Sequence, residues 1–275
     1  MITQLPIARP PRLIAIASGK GGVGKTWLSA TLAHALAQEN ERVLLFDGDL
    51  GLANIDVQLG LTPTNDLGAV ISGRMTLAEA VTPFAGGASE GGFDVLAGRS
   101  GSGALAHLNR AEIGAMAQSL KLLATHYDRT IVDLGAGLDL AVLGLTAACD
   151  TTLVVLTEEP TSLTDAYALI KIMNRAGDMR DTRVVVNMAQ SEEAGRKTWG
   201  ALANACRNFL GLEPPLAGVI RRDEKIKEAI RRQTAFLTRH PAAPAAADVT
   251  ALARSLGKPQ ALAPDSRAKA LGGLK

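Results

Sequence analysis

Aromatic residues are scarce in this 275-residue chain, at 3% of the total. Its core must therefore be assembled from Ala, Val, Leu and Ile, drawn from a hydrophobic fraction of 47%. That composition suits a parallel sheet covered by Ala/Leu-rich helices. Cysteine is nearly missing as well. Cys149 and Cys206 lie far apart with no CxxC partner, which excludes a disulfide framework or zinc site and suits buried thiols in a reducing compartment. There is no strong charge of one sign: a net +2 gives no wholesale attraction to nucleic acid or membrane. No run approaches the ~18 apolar residues needed to span a bilayer. The N-terminus also lacks the basic-then-apolar layout of a secretory leader, so a cytoplasmic protein is expected. No internal repeat of solenoid length is present.

What is present is strand–helix alternation. Short apolar runs predict strands at 13–17, 42–47, 93–96, 129–133, 152–157, 183–187 and 216–220. Helical patterns are predicted at 27–37, 111–125, 163–174, 223–232 and 245–256. Residues 51–70 alternate turn signals with short helical pieces, and 98–103 read as a flexible Gly/Ser turn. Near-continuous apolar strands predict a single doubly wound, mostly parallel α/β sheet with helices on both faces. A ligand should then sit outside the carboxyl ends of the strands. The expected organisation is an N-terminal arm over 1–12, one domain over 13–257 and a disordered tail over 258–275.

The chain is organised around Ser18-Gly19-Lys20-Gly21-Gly22-Val23-Gly24-Lys25-Thr26. An apolar strand precedes it and an Ala/Leu helix beginning at Trp27 follows, the context in which a Gly-Lys-Thr loop is a phosphate cradle. The glycines let successive backbone N–H groups converge on an anion at the positive end of the helix. Lys25 would reach the β- and γ-phosphates, and the Thr26 hydroxyl would ligate Mg²⁺. Asp133 ends a buried strand before Gly135-Ala136-Gly137 and fits the carboxylate that holds the metal side of such a site. Asp47 and Asp49 end another strand. Asp47 is assigned to the Mg²⁺ shell and Asp49 to placing the attacking water, since phosphoryl transfer needs placement and charge neutralisation more than a strong base. So sparse a site should turn over slowly, as suits a switch. Lys20 cannot easily reach its own γ-phosphate through the same cradle and is placed to act in trans, like an arginine finger.

These residues carry a resemblance. Lys20 to Thr26, Asp47-Gly48-Asp49 and Ile131-Val132-Asp133 are similar to the deviant Walker A ATPases of the MinD/ParA group, over roughly residues 12–257. The resemblance implies the P-loop NTPase fold of that group, ATP with Mg²⁺, and a homodimer formed on ATP binding. It makes Lys20 the signature lysine that crosses a nucleotide-sandwich dimer, Asp49 the hydrolysis-linked acid and Asp133 the Walker B acid. The nucleotide-contacting set is then Gly19, Lys20, Gly21, Gly22, Val23, Gly24, Lys25, Thr26 and Trp27. Asn187, Arg221 and Asp223 are expected at the adenine pocket. Trp27 departs from the small hydroxyl residue that is common at its position.

The stretch from Asp47 to Gly60 resembles the MinD branch more than ParA. Residues 131–137 and 159–171 resemble the flagellar-number regulators of the FlhG/FleN branch. That likeness implies regulation of flagellar number or placement, with flagellar partners: an FlhF-like GTPase, switch-complex proteins or regulators. The Asp-Gln-Ala motif through which that branch stimulates FlhF is not found, and Gly272-Gly273 interrupts the thin apolar face of 262–275. Membrane contact at the inner face of the cell membrane is left open. A partition or division-site ATPase is the alternative, and nonspecific DNA binding would draw on Arg221, Arg222, Lys225, Lys227, Arg231 and Arg232. Asp223, Glu224 and Glu228 interleave with that set, so a solvated face is expected there. A shared iron–sulfur cluster would require cysteines at the dimer face, and neither Cys149 nor Cys206 suits it.

Overall fold

The computed structural model describes residues 12–49, 53–65, 67–98 and 108–256. The predicted arm, apart from Arg12, and the predicted tail fall outside them, as does most of the 98–103 turn. Elements run β1 (Arg12–Ser18), α1 (Lys25–Gln38), β2 (Val43–Gly48), α2 (Ile55–Leu59), α3 (Leu67–Ile71), a 3₁₀ turn (Ala78–Ala80), β3 (Thr82–Phe84), β4 (Phe93–Leu96) and α4 (Arg110–Ala124). They continue with β5 (Arg129–Ala136), α5 (Leu140–Ala148), β6 (Thr151–Leu156), α6 (Pro160–Ala176), β7 (Asp181–Ala189), α7 (Glu192–Leu210), β8 (Leu216–Arg221), α8 (Lys225–Arg231), α9 (Phe236–Arg239) and α10 (Pro244–Leu256).

One eight-stranded sheet carries the order β3-β4-β2-β5-β1-β6-β7-β8. Every pairing is parallel except β3 with β4. The doubly wound, mostly parallel expectation is borne out. The antiparallel edge strand β3 was not expected; its three residues include Pro83, which lacks a donor and is tolerated only at an edge.

The inner strands are buried on both faces, and their alternation splits the core in two. Ile14 and Ile16 of β1 join Leu28, Leu32 and Leu36 of α1 and Val249 and Leu252 of α10 on one side. Leu13, Ala15 and Ala17 join Ile113, Leu145 and Ile170 of α4, α5 and α6 on the other. Each buried Leu, Ile or Val contributes about 1.5–3 kcal/mol and each Ala less, so aliphatic residues in number replace the missing aromatics.

Helix ends are written locally. Asn109 and Glu112 form a reciprocal capping box on α4, worth about 1 kcal/mol. Asp139 and Ser191 cap α5 and α7. Pro160 occupies the first turn of α6, and Gly177 closes it in the left-handed region. With β1 between β5 and β6, connections leave its neighbourhood in opposite directions, and the crevice opens at the carboxyl ends of these strands.

Candidate functional site

A cavity of about 1000 Å³ lies at that crevice. Its phosphate end is the loop from β1 to α1. Gly22 and Gly24 take positive φ, 78° and 84°, which side-chain-bearing residues adopt only at a cost. Gly24 is also packed tightly: a Cβ there would stand 2.6 Å from Asn187 Nδ2. Gly19 is closer still to its surroundings, because a Cβ would stand 2.2 Å from the Asp165 carbonyl oxygen of α6.

The two loop lysines point to different places. Lys25 is buried, and its Nζ donates to Ser18 Oγ at 2.8 Å. Burial lowers its pKa, while the nearby charges of Asp133 and Asp49 act to raise it. Lys20 lies outward over the start of α6, donating to the Glu159 carboxylate and to Thr161 Oγ1 at 2.8 Å. That contact holds the Glu159 carboxyl below its usual pKa.

The acidic end is formed where β2 and β5 run side by side, with Asp47 and Asp133 in register. Both are 1% exposed. Asp133 accepts from Ser29 Oγ at 2.8 Å, while its second oxygen, Oδ2, is buried without a hydrogen-bond partner. Burial raises Asp133 to about 6, opposed by the Ser29 and Thr26 hydroxyls and by Lys25, with Asp49 adding to the rise. A buried, unsatisfied carboxylate oxygen beside a hydroxyl is costly unless a cation completes it. This donor set fits Mg²⁺, which takes one or two protein oxygens and draws the rest from water and substrate phosphate. Asp49 lines the cavity, its carboxylate 3.4 Å from where a Gly135 Cβ would stand.

Asp47 departs from its expected place in the metal shell. Its Oδ1 accepts from Asp49 N at 3.3 Å, and its Oδ2 accepts from Asn54 N at 3.1 Å and Ile55 N at 3.2 Å. Burial and the neighbouring Asp133 raise it to about 8 even so. Both oxygens are committed to the backbone of the loop after β2, which organises the residues around Asp49.

The far end of the cavity is lined by Asn187, Met188, Ile226, Lys227 and Ile230. Asn187 Nδ2 donates to Val23 O at 2.8 Å, so the amide braces the phosphate loop. Arg221, expected at the adenine pocket, does not line the cavity. It grips Asp248 of α10 through Nε at 2.9 Å and Nη2 at 2.7 Å, tying β8 to the terminal helix. Asp223 does not line the cavity either; it accepts from Lys225 N at 3.0 Å at the start of α8. Trp27 lines the cavity edge and packs edge-on against Phe236 with ring centroids 5.3 Å apart.

Several contributing residues were not expected from the sequence: Ser29, Met188, Ile226 and Ile230. Ser29 was the most accessible, since it stands one turn beyond Lys25 on the same helix face. The others come from elements that meet only through the fold.

The model of the CobQ/CobB/MinD/ParA nucleotide-binding domain matches residues 14–236. Antiactivator FleN of Pseudomonas aeruginosa is 38% identical over 253 residues, covering 92% of this chain and 89% of that protein. The flagellum site-determining protein YlxH of Helicobacter pylori is 32% identical, covering 81% of this chain and 74% of that one. Among solved structures, the septum site-determining protein MinD of Pyrococcus horikoshii, complexed with Mg-ADP, superposes with a TM-score of 0.73 at 27% identity, covering 90% of this chain and 96% of that one. MinD in the MinC:MinD complex of Aquifex aeolicus gives 0.73 at 25%, covering 92% and 98%. Among the described residues no helix is long and apolar enough to cross a membrane. The domain model spanning most of the chain and the identity to these relatives show that the chain belongs to the MinD/ParA family of Mg²⁺-dependent ATPases.

Proposed function

We propose that this chain is an ATP-driven dimerising switch that sets flagellar number or placement. The observation that carries the switch is the divergence of the two loop lysines. Lys25 is folded inward on Ser18, while Lys20 rests at the surface on Glu159 and Thr161. A lysine held outside its own cradle, together with the exposed Leu138 and Leu140 that line the cavity, suits a face that closes on a second copy of the chain. The flagellar assignment is supported by the identity to FleN and to the flagellum site-determining protein. The DNA-binding alternative draws less support, since Arg221, Lys227 and Arg232 are paired with Asp248, Glu224 and Glu228.

In this reading the loop N–H groups and Lys25 bind the phosphates, and Thr26 and Asp133 would hold Mg²⁺, which would supply charge neutralisation for phosphoryl transfer. Asp49 orients the attacking water. Asn187 offers its carbonyl oxygen to the base, and Met188, Ile226 and Ile230 give it apolar walls. Lys20 leaves Glu159 to reach the partner's phosphates, so dimer formation and commitment to hydrolysis coincide.

The test is light scattering with nucleotide titration. Lys25→Ala should abolish ATP binding. Asp49→Ala should bind ATP normally and accumulate as a dimer; a monomer under saturating ATP overturns the switch. The flagellar role is checked by counting flagella in cells that lack the chain, where an unchanged count overturns it.

A further inference from the structure

Helix α2 has five residues, well short of the ~12–15 an isolated helix needs, so other elements must hold its ends. Ile55 and Leu59 are buried in the core beneath it. At its start, the Asp47 carboxylate takes the N–H groups of Asn54 and Ile55. At its end, the N–H groups of Gly60 and Leu61 both turn to the Asp56 carbonyl, leaving the Val57 carbonyl without a donor from its own helix. Gln233, beyond the end of α8, supplies one: its Nε2 donates to Val57 O at 2.9 Å. The two turns meet with no slack. Gly60 and Gln233 have φ of 66° and 52°, and a Cβ on Gly60 would stand 3.0 Å from Gln233 Cβ and 3.2 Å from Gln233 O.

This seam joins the two ends of the nucleotide cavity. On one side α8 presents Ile226, Lys227 and Ile230 to the base end. On the other, the carboxylate that anchors α2 also holds the Asp49 N–H. The path from α8 through Gln233, Val57 and Asp47 to Asp49 is therefore a continuous run of hydrogen bonds and one short helix. We infer that Gln233 is a positioning residue for Asp49, passing the seating of the base against α8 through α2 to the acid that orients the attacking water. The inference rests on the reading of this cavity as the ATP site with Asp49 at the hydrolytic end. It makes base recognition act on turnover as well as on binding. A base that fits α8 poorly leaves α2, and with it Asp49, less well held.

The experiment uses the full chain with ATP and with GTP, which differ only in the base. Steady-state turnover is measured at saturating nucleotide and at protein concentrations where specific activity no longer rises. Affinity is measured separately by equilibrium titration. Gln233→Ala should lower kcat for ATP about fivefold, the loss of one neutral hydrogen bond, while the ATP dissociation constant is unchanged. The ratio of kcat between ATP and GTP should shrink. Gln233→Lys, which keeps a donor long enough for the Val57 carbonyl, should restore both. An unchanged kcat in Gln233→Ala overturns the coupling, as does a loss of affinity for both nucleotides that Gln233→Lys fails to restore. Asp49→Ala separates the two levels. If it leaves turnover intact, the underlying site reading is overturned along with the coupling; if it lowers turnover while Gln233→Ala does not, the coupling alone is lost.

Discussion

On the proposed function Asn187 stands between the phosphate loop and the base, and its removal should be felt twice. Its amide is 1% exposed and donates to the carbonyl of Val23, itself 2% exposed, at 2.8 Å. Asn187→Ala leaves that carbonyl buried without a donor, at a cost of about 1–3 kcal/mol. In a domain of this size each kcal/mol moves Tm by about 2–4 °C, so a central cost of about 2 kcal/mol lowers Tm by about 4–8 °C without nucleotide. Asn187→Asp should destabilise at least as much, because it sets an acceptor against an acceptor. Both variants should weaken ATP binding, since the brace behind Gly24 is lost in each and Asn187→Ala also removes the proposed acceptor for the base. Circular-dichroism melts of the nucleotide-free chain and an ATP titration measure the two effects. Arg221→Ala serves as the contrast. It frees Asp248 and the junction with α10, so it should lower stability while ATP affinity holds. An Asn187→Ala variant with wild-type Tm and weakened ATP binding would refute the brace; an Arg221→Ala variant with intact stability and lost ATP affinity would restore the arginine to the pocket.

Two further outcomes follow from other parts of the molecule. Glu159→Gln removes the charge that holds Lys20 at the surface and should shift the ATP-dependent monomer–dimer balance toward dimer in sedimentation velocity; a shift toward monomer would mean that Glu159 helps the lysine cross. His34 is buried beside Phe93 with Nδ1 unpartnered, and burial lowers its pKa from the ordinary 6.5. A histidine depressed by folding binds its proton more readily when unfolded. Its neutral form therefore supports stability above about pH 6.5, and that support is lost as pH falls below it. Urea midpoints from pH 7.5 down to 5.5 should fall less steeply in His34→Leu than in wild type, and equal slopes would remove His34 from the acid response.

The features legible in the sequence are those whose physical cause is local. The glycine loop between an apolar strand and an Ala/Leu helix is one continuous stretch, and Asp133 is marked by the buried strand before it and the glycines after it. The strands of the parallel sheet announce themselves because burial on both faces makes them unbroken apolar runs. Helix α7 went unpredicted although it is strongly amphipathic: only Gly195, Leu202, Ala203 and Cys206 are buried along its length, so the segment as a whole reads as polar. Asp47 shows the limit most clearly. Its place at a strand end suggests a metal ligand, yet what it does depends on where residues 54 and 55 return. Arg221 was assigned by resemblance, but its partner Asp248 lies 27 residues on, in a helix that closes over β8. A carboxylate or guanidinium is satisfied by whatever the fold brings to it. Its identity can be read from the chain, but its occupation cannot. The same reasoning applies to Lys20, whose spacing suggests that it does not serve its own cradle, while only the fold reveals Glu159 and Thr161 as its partners. The proposed switch would depend on such a place: a lysine that completes a second subunit must first be held somewhere else, by contacts weak enough to exchange for a phosphate.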